Sequence, residues 1–275
     1  MSSRSGKVLL LSSLIAAVFA VLLVSVPTAF GQPVGVAAGS LSSAVSNGKA
    51  PYAGYLGVVI SGNLSKQTAE FNVPSVTCQA SLPEAQIVGV DAGASGVLDN
   101  GTTVQVGENL NTICDRNSST PRFAPLAYDC LVGACTTLTV FSLPVSAGDN
   151  VSFTITANTT SGQVVWSMAD LTTKVSKSYH HDFGTGINLT RPFWEVGGPN
   201  YPCTPTSCSQ ALAKFSGSIL LRDCGLTVLG KRVHVGALAY LIHYTMVDSI
   251  GNVLARASAI MRAGSAFSGV WVRST

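Results

Sequence analysis

What most constrains the fold of this chain is a rhythm. From Tyr52 onward, short runs rich in β-branched and aromatic residues alternate with clusters of Gly, Pro, Asn and Ser. "YLGVVIS", "AQIVGVDA", "TTLTVFSL", "NVSFTITAN", "GQVVWSMADL", "AKFSGSILL", "RVHVGALAYLIHYTMV" and "FSGVWVR" are such runs. Runs of this length, with almost no helical periodicity, predict an all-β domain built as an antiparallel sandwich or barrel. "SAGDN" before "VSFTITA" and "SIGN" before "VLARAS" read as turns. Only "ASAIMRAGSA" near the end predicts a helical turn. No repeat and no break interrupts the pattern, so residues 51–275 read as one domain.

The N-terminus points to export. Arg4 and Lys7 precede an apolar run from Val8 to Val26, followed by "PTAFGQ". Residues 1–31 therefore read as a signal peptide cleaved after Gly31, although the run is long enough to serve as a retained anchor. The segment 32–50 is small, polar and rich in Gly, Ser and Ala, the composition of a linker. The exported part would be secreted.

Charge and cysteine usage fit that compartment. Of 16 basic residues, Arg4 and Lys7 lie in the leader, which leaves 14 against 13 acidic ones. That balance gives no electrostatic footprint for nucleic acid or an anionic surface. Only 11% of residues are charged, which suits an acidic medium because little is lost when carboxylates protonate. Sequons at Asn63, Asn100, Asn117, Asn150, Asn158 and Asn188 suit a glycosylated surface. The cysteines are Cys78, Cys114, Cys130, Cys135, Cys203, Cys208 and Cys224, an odd number, so one thiol is free or pairs between chains. Export makes disulfides the default; Cys130/Cys135 and Cys203/Cys208 can each close a small loop, but the connectivity is not fixed by sequence. Their C-x4-C spacing is a poor zinc signature.

Several chemistries find no support. There is no phosphate-binding GxxxxGK[ST], no GxGxxG after a strand and no G-x-S-x-G elbow. His180 and His181 are adjacent, so on a strand they point to opposite faces and cannot share a metal. His234 and His243 lie in an apolar strand-rich region and read as satisfied core or edge residues. No metal or other cofactor is implied.

What remains is an amide and an acid. In "TTVQVGENL", Thr103, Gln105 and Gly107 face one way and Val104 and Val106 the other; on periodicity alone Gln105 is a solvated residue on an outer face. In "RPFWEVGGP", Trp194 and Val196 share one face, and Phe193 and Glu195 the other. If the two strands are sheet neighbours, carboxyl and carboxamide converge across a groove. A glutamate can take a proton from water and return it to a leaving amine. A glutamine NH2 can donate to the oxyanion of a tetrahedral intermediate, worth about 3 kcal/mol.

These segments, in order over some 220 residues, resemble the glutamic peptidases (family G1, the eqolisins), secreted acid-acting endopeptidases. "PYAGY" looks like the family's N-W-A-G-Y, with Tyr52 in place of tryptophan; "AEFNVPSV" resembles its "VPsv" strand. "IVGVDAGASGVLDNGTTVQVGENL" resembles W-V-G-I-D-G…L-Q-T-G, which puts Gln105 on the family's catalytic glutamine and Asp91 on its aspartate. "AYDCL" is similar to W-Y-E-W, mapping Tyr128 and Asp129, and "ARASAIMRAGSAFSGVWVRS" is similar to a bacterial and archaeal ending. The resemblance implies a sandwich of two bent antiparallel sheets, a concanavalin-like jelly roll. Substrate would lie across one concave face, with Tyr52, Asp91, Tyr128, Asp129 and Trp194 as binding residues. Two departures stand out. Ile87 replaces the tryptophan before V-G-I-D. The catalytic segment A-E-W-I-V-E-x-P, aligned without gaps on Trp194 and Pro199, puts Phe193 where the glutamate belongs. A shift of two residues, about 7 Å along the strand, puts Glu195 there instead.

The resulting expectation is a pepstatin-insensitive endopeptidase with Gln105 and Glu195 as catalytic pair, acting on proteins or peptides without nucleic acid or cofactor. Membrane contact would come only through a retained N-terminal segment. The rival expectation, favoured by Phe193 and the sequons, is a catalytically silent sandwich serving as a glycan-binding or surface interaction module. A fibre subunit whose N-terminal segment completes a neighbour's sheet is a third, weakened because residues 32–50 lack alternating large apolar residues.

Overall fold

The period-2 alternation read from sequence is realised as nineteen strands in a computed structural model that describes residues 44–50, 52–81, 85–197, 211–247, 251–261 and 264–272. The expected signal peptide, Cys203 and Cys208 lie outside the described residues. Residues 41–275 form one compact unit.

One layer, the front sheet, is built on β2 (Tyr52–Val58), β5 (Gln86–Leu98), β6 (Thr103–Cys114), β7 (Arg122–Leu131), β8 (Ala134–Val140), β12 (Ile187–Gly197) and β17 (Tyr240–Val247). Its antiparallel order is β8-β7-β6-β5-β12-β2-β17. The back layer runs β11 (Val175–Asp182), β10 (Gln163–Asp170), β9 (Asn150–Ala157), β3 (Leu64–Asn72) and β15 (Ser218–Val228). Along its far edge β15 pairs with β16 (Lys231–His234) and β19 (Phe267–Trp271). Strand β18 (Val253–Ala257) pairs with both β17 and β19, so the two layers are laced at that corner. Two short strands, β4 (Val76–Thr77) and β14 (Lys214–Phe215), form a small separate sheet, and β13 (Ala211–Leu212) adds to β5. The all-β, two-layer antiparallel sandwich expected from sequence is thus what forms.

The core sits between the layers because every second residue of the facing strands is apolar. β9 and β10 bury Val151, Phe153, Ile155, Ala157, Val164, Trp166, Met168 and Asp170 and turn the alternate residues outward. From the front sheet, Val88, Val90, Val104, Val106, Trp194 and Val196 meet them. Each large apolar side chain among these contributes about 1.5–3 kcal/mol on burial. The "SAGDN" turn forms as read: Gly148 takes φ 91°, a conformation open to glycine, and the Asp149 carboxylate accepts the Ser146 N–H at 2.7 Å.

Two readings need correction. Ala44–Ala50, the end of the expected linker, is a strand, β1, paired in parallel with β17 along its whole length. A strand can be held by main-chain bonds alone, and composition does not register those. The described residues of "ASAIMRAGSA" form no helix: Ser258 donates its N–H to the Ser268 carbonyl, and Met261 and Ala266 exchange both backbone bonds, extending the β18–β19 hairpin. Long-range pairing outweighs the weak local helical tendency of Ala and Met. Cysteine pairing is resolved in part, as Cys78–Cys114 and Cys130–Cys135, with Cys224 buried as a free thiol.

Candidate active site

Registry decides which outward side chains of the front sheet share a row. One row runs Tyr244, Gly54, Glu195, Asp91, Asn109 across β17, β2, β12, β5 and β6. The next contains Ile242, Leu56, Phe193, Gly93, Gly107 and Tyr128. A third places Ser95, Gln105 and Cys130 side by side. Gln105, Asp91, Tyr128 and Glu195 therefore occupy one face.

The polar tips converge unequally. Gln105 donates from Nε2 to the Tyr128 hydroxyl at 3.3 Å, and that hydroxyl reaches both Asp91 oxygens, at 3.1 and 3.0 Å. Asn109 donates from Nδ2 to Asp91 at 3.3 Å. The amide and the Asp91 carboxyl are thus joined through a single phenol. Glu195 is different. It lies two strands from Gln105 and four residues along β5, about 13 Å along the strands and about 10 Å across them. One water does not span that gap. The carboxyl that Glu195 does meet is Asp91, its direct partner across β12 and β5.

Glycines allow the convergence. A Cβ on Gly107 would run into the Tyr128 ring, and one on Gly93 would strike the Phe193 ring. Both rings therefore lie flat over the neighbouring strand, and with Cys130 they form a small apolar cluster on this face. Phe193 fills the row between Gln105 and Glu195.

Electrostatics follow from burial. Glu195 is 8% exposed, and desolvation, then the neighbouring Asp91, pushes its carboxyl well above the usual range. Asp91 is raised to about 7, first by desolvation, against the hydrogen bonds from Asn109, Tyr128 and the Ala92 backbone. Two carboxyls this close cannot both ionise readily. Tyr52 and Tyr244 meet edge to face with ring centres 5.2 Å apart beside Glu195, and both phenols are raised by desolvation and then by that carboxyl.

Two residues expected at the groove face elsewhere. Trp194 is fully buried between the sheets, its indole donating to the Thr68 carbonyl at 3.0 Å. Asp129 follows Tyr128 on β7 and so points inward, 6% exposed, raised by desolvation and eased by His181. Alternation forbids adjacent residues to share a face, which the motif comparison overrides. Asn109 and Tyr244 were not singled out from sequence. Asn109 is visible as an i+4 partner of Gln105 on one strand face; nothing local reveals Tyr244, since β17 joins the site only through β2. Glu108, next to Asn109 on β6, is fully buried in the core against the Thr154 and Ser167 amides without a hydrogen bond of normal geometry. His243 stacks on Tyr55 and bonds through Nε2 to the Ala257 carbonyl at 2.9 Å. His180 and His181 lie on the edge strand β11. Among the described residues no group of three or more His, Cys, Asp or Glu is placed to hold a metal.

No protein-family model matches the sequence, and no curated protein matches it. Solved structures do. Scytalidoglutamic peptidase with a peptide-based transition-state analogue superposes with a TM-score of 0.57 at 16% identity, covering 81% of this chain and 98% of that one. SCP-B, a member of the eqolisin family of peptidases, in complex with the tripeptide Ala-Ile-His, gives 0.56 at 15% identity over the same shares. At these identities the likeness is one of architecture: the chain has the β-sandwich fold of glutamic peptidases.

Proposed function

We propose that this chain is an exported endopeptidase that hydrolyses peptide bonds of extended polypeptides laid across the front sheet. Gln105 donates to the carbonyl oxygen, and the carboxyl pair of Asp91 and Glu195 supplies the general acid/base. The observation that carries the reading is the hydrogen-bonded line from Gln105 through Tyr128 to Asp91, with Glu195 in register beside Asp91 on the same face. The fold likeness to glutamic peptidases supports it. Two disulfides support an oxidising compartment. Burial moves the working range upward from the ordinary carboxyl value of about 4, so activity is expected in weakly acid medium rather than at the extreme of acidity.

The test is cleavage of denatured casein between about pH 3 and 7 with pepstatin present. Loss of cleavage in Gln105→Ala supports the reading. A folded wild-type protein that cleaves nothing across the range ends it.

One observation favours the second reading, a silent surface module. Phe193 occupies the space between Gln105 and Glu195. Binding of a defined glycan on this face without any proteolysis would establish that alternative.

A further inference from the structure

We infer that Asp91 is a catalytic residue, the general base that activates water, and that it shares one proton with Glu195. The inference rests on the peptidase reading and divides the work within its carboxyl pair. Gln105 needs a water-activating partner within reach of the carbonyl it polarises. Glu195 and Asp91 share a row, but Glu195 stands one strand further from Gln105, on β12 rather than β5. The Asp91 oxygens lie one phenolic hydroxyl from the Gln105 amide. Asp91 is also the less buried member of the pair, whereas Glu195 is more than nine-tenths buried.

Hydrogen bonding assigns the shared proton. Asp91 accepts from Tyr128 and Asn109, which stabilises its ionised form. The influences on Glu195 are burial and Asp91 itself, with no donor among the described residues. The negative charge therefore rests on Asp91 and the proton on Glu195. The groups facing the pair are Tyr128, Tyr52 and Tyr244, and beneath the sheet Glu108; none is cationic.

The step balances. Asp91 removes a proton from water as the water oxygen bonds to the carbonyl carbon, and the carbonyl π pair moves onto oxygen under the Gln105 Nε2–H. When that pair returns, the C–N bond breaks and Asp91 gives the proton it took from water to the departing nitrogen. Asp91 is left ionised again and Glu195 keeps its proton throughout. One water is consumed, and a carboxyl and an amine are released.

The experiment compares wild type, Asp91→Asn and Glu195→Gln on a quenched-fluorescence peptide library across pH, with thermal melting as the folding control. The carboxyl carbon of Glu195 is followed by NMR in wild type and Asp91→Asn. We expect kcat to fall at least about 100-fold in Asp91→Asn with KM little changed, and the Glu195 titration to move down by at least about one unit once the neighbouring charge is gone. Active wild type with Asp91→Asn within about tenfold of it overturns the inference and leaves the peptidase reading standing. An unmoved Glu195 titration also overturns it, whatever the activity. Wild type that cleaves no peptide overturns both.

Discussion

Glu195 stands directly across the β12–β5 ladder from Asp91, and both carboxyls face the same side of the front sheet. Two desolvated acids at one ladder position make the fold itself a sensor of pH. The consequences can be measured.

Asp91, Glu195, Glu108 and Asp129 all titrate above their ordinary values, each chiefly through desolvation. The native state then binds more protons than the unfolded chain, so stability falls as pH rises. It is fully present below about pH 4, the unfolded carboxyl range, and is lost as pH climbs through about 7, the folded value of Asp91. Differential scanning calorimetry should show Tm lower at pH 7.5 than at pH 4 by roughly 5 °C or more. Glu108→Gln, which removes one ionisation from the core, should flatten that slope. A Tm that rises toward neutrality would refute the burial argument.

Gly107→Ala should be disproportionately harmful. The added methyl displaces the Tyr128 ring that covers it. Losing the placement of that hydroxyl breaks the link between Gln105 and Asp91. A roughly 100-fold fall in kcat is expected from a displacement of about 1 Å, with a modest fall in Tm. Near-normal turnover would show that the phenol is not needed there.

Tyr128→Phe tests the same hydroxyl without moving the ring. Removing it deprives Asp91 of a donor within 3.0 Å, so the acid limb of the pH–activity profile should move upward. The measurement is that limb in kcat/KM, and an unshifted profile counts against the role given to the phenol.

The two disulfides should differ in weight. Cys78–Cys114 closes a separation of 36 residues and Cys130–Cys135 one of 5. Chain entropy gives about 4 and about 2 kcal/mol respectively. Cys78→Ser with Cys114→Ser should therefore lower Tm by about 10 °C, and Cys130→Ser with Cys135→Ser by about half as much. Because Cys130 packs against Phe193 and Tyr128, only the second pair is expected to disturb kcat.

How much of this was legible varied by residue. Gln105 was placed on the right face by alternation, and its partner Asp91 was named from the motif around it. Trp194 was assigned to the groove although the same alternation put it opposite Glu195; a motif carried residue by residue ignores the pleat. Glu195 was set against Gln105 because they share a face, yet the row each occupies depends on β5, which runs between them and fixes both registers. Tyr244 reaches the site from a strand more than a hundred positions beyond Gln105, through β2 alone.

The amino-acid order by itself determined that this chain is all-β, an antiparallel sandwich or barrel, and which face of each strand is polar, because side chains alternate with a period of two whatever the partner. Which carboxyl meets which amide was decided only by tertiary pairing. Registers in a sheet are set by long-range packing, and a shift of two residues preserves every face while moving a functional group by about 7 Å.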